Sequence, residues 1–198
     1  MRGTGSVAFH RALITIYNIY TLMGLFDFLG VKGNTSKTIT LPYIPRNINE
    51  LMALPGAQLK DEFEVAALCV AVLCNWENDR NATIEMLNFL RGPRPLSPMD
   101  QQFLRDRLAG KQYKTYSFFH GATVQNNYTP SLPFAIDVST NPYSYDNENM
   151  ATLHLRSAGA DSMRQVSLRK KPSTGQWFIW EIFFLSDIRT PAAQDPWA

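Results

Sequence analysis

A chain of 198 residues, 45% hydrophobic and 18% charged, is long enough to bury a substantial core as one domain. Its formal net charge of +2 argues against a nucleic-acid partner recruited by bulk electrostatics. Its two cysteines, Cys69 and Cys74, provide no disulfide framework. Both lie in the apolar run Val65–Cys74, so they read as buried thiols rather than a redox pair, and they point to a reducing, cytoplasmic compartment.

Ala12–Val31 is fairly apolar and follows Arg2, His10 and Arg11, the arrangement of a signal or anchor. Asn18 and Asp27 interrupt it and no small-x-small cleavage site follows, so neither a membrane span nor an export signal is expected. Met23 opens a second start, which makes residues 1–22 an extension dispensable to the fold. Residues 23–44 then form a short amphipathic segment and a linker, the latter in the polar stretch Lys32–Thr40, and residues 45–198 form a single domain.

Asn47 followed by Glu50 resembles a capping box ahead of Leu51, Met52 and Leu54, with Pro55-Gly56 as the stop. Asp61–Trp76 is the strongest helix. Its first turn carries Asp61, Glu62 and Glu64, which suit the positive end of the helix dipole, and Val65–Cys74 is apolar all round, which predicts burial at the centre. A third helix is expected over Ala82–Arg91, stopped by Gly92-Pro93. A fourth starts at the cap Ser97 with Pro98 in its first turn and ends at Gly110, with Phe103, Leu104 and Leu108 pointing inward.

Beyond Gly110 the period becomes two. Tyr113–Phe119 is rich in strand formers, and Leu132, Phe134, Ile136 and Val138 alternate with smaller or polar residues. Ala151, Leu153 and Leu155 repeat the pattern, and two turns then lead into strands over Met163–Lys170 and Gln176–Ser186. In the last strand Phe178, Trp180, Ile182 and Phe184 form one apolar face, while Trp177, Ile179, Phe183 and Leu185 form another, broken by Glu181. Two apolar faces predict a central strand covered on both sides, with Trp180 under the helical layer. The fold class is α+β: a helical N-terminal half packed on a C-terminal antiparallel β-meander of about five strands.

No pattern of His, Cys, Asp and Glu has metal-ligand spacing, and no cofactor is expected. Of the histidines, His10 lies in the extension, His120 is isolated, and His154 alternates onto the polar face of its strand. Glu181, set in an apolar strand, needs a partner, for which Arg164 and Arg169 across the hairpin are the candidates. The densest signal is basic: Arg156, Arg164, Arg169, Lys170 and Lys171, followed by Arg189, beside Trp177 and Trp180. Forked guanidinium donors suit carboxylates and phosphates. The same charges also suit a solvated strand face at a sheet edge. The candidate ligand-binding residues are Arg164 and Arg189, taken as an anion-binding point, with Glu181 and His154.

Met86–Pro93, Asn126–Ser131, Gly159–Arg164, Leu168–Lys171, Asp187–Arg189 and Asp195–Ala198 together resemble an uncharacterised bacterial family, a domain of unknown function seen mostly in anaerobic Firmicutes. The likeness spans about Asn47–Ala198, with Met163 standing where the family pattern has proline, and members often begin near the position of Met23. It implies no activity and carries over no catalytic residue. The expectation is a non-enzymatic module that binds a small anion or a protein partner, with self-association as a further reading. The alternative is a cone-shaped cavity protein, an enzyme or carrier, with its site on a curved sheet.

Overall fold

The structure is a computed structural model that describes residues 34–197. By backbone contacts the chain divides into two units, Met1–Asn34 and Thr35–Ala198, and the fold described is that of the second. The apolar stretch Ala12–Val31 and the second start at Met23 lie outside the described residues.

The order is β1 (Ser36–Leu41), α1 (Ile48–Met52), a 3-10 turn (Pro55–Gln58), α2 (Glu62–Leu73), α3 (Arg80–Arg91), α4 (Pro98–Leu108), α5 (Tyr113–Tyr116), β2 (Phe134–Ser139), β3 (Met150–Leu155), β4 (Arg164–Lys171) and β5 (Gln176–Ile182). The five strands form one antiparallel sheet in sequence order, so the α+β class is as expected. β1 corrects the linker reading. Ser36–Leu41 pairs along its whole length with β2 as an edge strand, with Leu41 buried and Ile39 partly buried against the core.

The helix signals act locally as the residues predict. The Asn47 side chain accepts from the Glu50 amide at 3.0 Å, and Asp61 caps α2 by accepting from the Phe63 amide at 2.8 Å. Ser97 and Asp100 complete a reciprocal box at the start of α4. α2 is the central helix: Phe63 and every residue from Val65 to Leu73 are buried, and it contacts all five strands. Such a helix has no polar face to turn outward, so the sheet must cover one side and the other helices the rest.

Two expected placements differ. Tyr113–Phe119 forms the helical turn of α5 and then a single bridge from Phe119 to Ile136; Tyr113 stacks on Tyr128 at 5.9 Å and Lys114 Nζ donates to the Leu185 carbonyl at 3.1 Å, partners that a sixth strand would not reach in the same way. On α4, Leu104 and Leu108 are buried, but Phe103 remains 39% exposed and lies against Arg107.

β5 holds the largest departure. Ser167 pairs with Glu181, yet Leu168 pairs with Ile179, so Trp180 is the extra residue of a β-bulge. A bulge shifts the two-residue period by one. Trp177 and Ile179 face the core before it, and Ile182 and Phe184 face the core after it. The two apolar faces read from the sequence are therefore a single inner face interrupted once. β5 lies at the sheet edge and not at its centre. Trp180 falls outside the core, half-buried.

At the opposite edge Asp137 of β2 accepts from Thr38 Oγ1 of β1 at 2.6 Å and pairs with His120 Nε2 at 3.0 Å. Burial on its own would raise the Asp137 pKa, but the hydrogen bonds from Thr38 and His120 outweigh it and hold the carboxyl below its ordinary value. A carboxyl with a lower pKa in the folded chain stabilises the fold above its unfolded value, about 4, and that contribution is lost as the pH falls through the folded value. Asp137→Asn is accordingly expected to flatten the acid limb of stability against pH. Urea midpoints taken between about pH 6 and 3 test it, and an unchanged slope would exclude the role.

Candidate functional site

The exposed edge of β5 is closed from the far end of α3. The Trp177 amide donates to the Leu59 carbonyl at 2.7 Å. At the bulge, the Trp180 carbonyl accepts from Arg91 Nη1 at 3.3 Å and from Arg94 Nη1 at 3.1 Å. Arg91 is only 3% exposed; its Nε donates to the Arg94 carbonyl at 3.1 Å and its Nη2 lies 3.6 Å from Asp100. Arginine suits this position because its fork serves several acceptors at once while remaining charged. Gly92, at φ +58°, lets the chain leave α3 so closely over β5 that an added Cβ would lie 2.3 Å from the Phe178 ring.

Around this junction lies a cleft of about 400 Å³ lined by Arg91, Pro93, Arg94, Arg169, Lys170, Lys171, Pro172, Phe178, Ile179 and Trp180. Two guanidinium groups lie over the Trp180 ring, Arg94 at 4.3 Å and Arg169 at 5.0 Å from its centroid, and Lys170 lies 5.5 Å from the Trp177 ring. Each is a cation–π contact, in which the ring face attracts the cation. Arg94 has an acidic partner, Glu181, at 3.0 Å. Among the described residues, no acid pairs with Arg169, Lys170 or Lys171. Phe178, Pro93 and Pro172 supply an apolar floor beneath those free charges.

The residues singled out from the sequence are dispersed. Glu181 does need a partner, but Arg94 provides it from the loop after α3, in place of Arg164 or Arg169. Glu181 also borders a void of only about 30 Å³ beside Asp100 and Leu104. His154 lies on the sheet face away from α2, its Nε2 3.3 Å from both the Asn141 and Gln165 side-chain amides. Desolvation lowers its pKa against a smaller opposing contribution from the Ser139 backbone, which disfavours the charged ring. Arg164 donates to the Asp187 carbonyl at 2.7 Å and to Ser162 Oγ at 3.2 Å, which ties the chain after β5 back to β4. Arg189 is engaged by Asp161, and its carbonyl accepts from the Tyr128 hydroxyl at 2.8 Å. No hydrogen bond or ion pair joins any two of Arg164, Arg189, Glu181 and His154.

Both thiols are buried and burial pushes their pKa values up to about 12, so at neutral pH Cys69 and Cys74 are protonated and inert as nucleophiles. Among the described residues, no helix is long and apolar enough to cross a membrane.

Arg169, Lys170 and Lys171 stand out in the sequence as part of a basic run. Arg91, Pro93 and Arg94 do not, since nothing local to them announces that α3 ends against β5. The one signal they carry is the Arg-Gly-Pro-Arg turn, whose glycine and proline mark an abrupt exit between two cations.

No curated protein and no solved structure matches this chain. A family model described as a domain of unknown function (DUF6935) matches residues 43–192, from just after β1 to the 3-10 turn Ala192–Gln194 that follows β5, and so takes in the whole of the cleft. The range stops short of Asp195-Pro196-Trp197, leaving the C-terminal part of the expected signature outside it. Covering most of the sequence, the match shows that the chain belongs to the DUF6935 family.

Proposed function

We propose that this protein is a binding module whose cleft between the end of α3 and the β4–β5 hairpin takes an amphipathic anion, an aromatic or aliphatic group bearing a carboxylate or phosphate. The observation that carries the reading is the set of cations without acidic partners, Arg169, Lys170 and Lys171, around the apolar floor of Phe178, Pro93 and Pro172. A ligand with both characters would neutralise the charges and cover the floor together. The cleft's ionisable groups are arginines and lysines throughout, a set suited to holding an anion rather than to passing a proton between an acid and a base. The interior beneath the sheet is filled by α2, which favours a surface site over the cone-shaped cavity.

Titration calorimetry with phenyl phosphate tests the reading, with inorganic phosphate as the comparison. Phenyl phosphate is expected to bind more tightly, and more weakly as salt rises. Arg169→Ala/Lys171→Ala is expected to lower affinity tenfold or more, about 1.4 kcal/mol. Arg164→Ala is expected to lower stability by about 1 kcal/mol and leave affinity unchanged, because its fork serves the Asp187 carbonyl. Equal binding by the double variant, or no binding by the unaltered protein, would overturn the proposal.

A further inference from the structure

A complementary pair of features sits just after the 3-10 turn Ala192–Gln194. Trp197 is 94% exposed, more than any other large hydrophobic among the described residues. A lone exposed apolar residue is ordinary, but an indole bared to this degree leaves the largest apolar side chain in water. Asp195 Oδ1 accepts from the Trp197 amide at 2.9 Å, which fixes acid and ring on one short turn. Asp195 pairs with no cation among the described residues. The turn thus carries an aromatic group in water and, beside it, a carboxylate that no cation neutralises. The cleft carries the opposite set, an apolar floor and cations without acids, in a volume of about 400 Å³ that holds an indole and a carboxylate together.

We propose that the cleft of one copy receives Trp197 and Asp195 of a second copy, so that the protein associates head to tail. This rests on the reading of the cleft as a site for amphipathic anions and names the ligand as a segment of the chain itself. In the docked arrangement the Trp197 ring covers Phe178 and the prolines, and the Asp195 carboxylate meets Arg169 and Lys171. Such an interface joins two different surfaces, so each added copy presents one unfilled cleft and one undocked Trp197 turn. Association therefore continues into open chains unless the rotation closes a ring. Charge pairs at an accessible rim also make it sensitive to salt.

Two variants at exposed positions and their mixture decide the matter by sedimentation velocity. The unaltered protein is expected to sediment faster as its concentration rises, and phenyl phosphate is expected to reverse the increase. Trp197→Ala/Asp195→Asn lacks the tail and Arg169→Glu/Lys171→Glu lacks the cleft, so each alone is expected to remain monomeric. Mixed in equal amounts, they are expected to form a dimer that grows no further, since one intact tail meets one intact cleft. A monomeric mixture, or a tail variant that associates as the unaltered protein does, would overturn the inference. Calorimetry of the tail variant with phenyl phosphate separates the two ideas. Retained binding alongside a monomeric mixture sinks the self-association alone, whereas loss of both sinks the binding reading as well.

Discussion

Phe184→Ala is expected to lower the unfolding free energy by about 3–5 kcal/mol, and Trp180→Ala by only about 1 kcal/mol. The two residues lie four apart and would share a face on a regular strand. Phe184 is fully buried and meets Phe118 edge to face at 5.2 Å between ring centroids. Truncating it opens a cavity in a region already closed by Phe118 and Leu185, where collapse has little room. Trp180, displaced by the bulge, is half-buried and in contact with Arg94 and Arg169. Its removal costs cation–π contacts and some packing, but leaves no sealed void. Urea unfolding of both variants measures the difference. A Trp180→Ala loss equal to that of Phe184→Ala would mean that β5 runs without the bulge and that Trp180 faces the core.

Gly92→Ala is the second change with a large expected effect, about 2–4 kcal/mol of destabilisation. Gly92 has φ +58° and ψ −117°, a backbone conformation that L side chains rarely adopt. A Cβ there also meets the Phe178 ring at 2.3 and 2.4 Å, so the ring must move or α3 must back away from β5. Either response disturbs the floor of the cleft, and phenyl phosphate affinity is expected to fall with stability. Gly175→Ala is the comparison. Its φ of +67° imposes backbone strain, but the nearest atom to an added Cβ is Lys60 Nζ at 3.9 Å. It is expected to cost about 1–2 kcal/mol and to leave binding unchanged. If the two substitutions destabilise equally, the contact with Phe178 contributes nothing.

Strand phase identifies which residues share a face, but not which partners reach them. Counting from Val166 puts Arg164 on the apolar side of β4, and the count is right as far as it goes. Its guanidinium, however, is taken up by a carbonyl of the chain returning after β5, a partner remote in sequence. Glu181 does carry a charge in need of a partner, as its apolar neighbours imply. That partner comes from the loop after α3, because the edge position of β5 brings that loop, rather than the β4 arginines, alongside it.

Features under local control are readable from the residues alone. Caps at Asn47 and Ser97, the acidic start at Asp61, the stop at Gly92, the uniformly apolar stretch of α2 and the period-two segments of β2 and β3 each act within a few residues. The α+β class with a central helix follows from them. Everything that depends on which segments meet belongs to the tertiary structure. Ser36–Leu41 is polar enough to pass for a linker, and becomes a strand only because β2 offers it an open edge. The phase of β5 changes because pairing with β4 admits one extra residue, a choice made between strands and invisible in either alone. The cleft exists because α3 ends against that same edge, bringing Arg91 and Arg94 beside Arg169–Lys171 across a long separation in sequence. Hydrogen bonds act at about 3 Å and exposed charges are screened beyond about 10 Å, and the chain alone does not say which distant residues will come within that range.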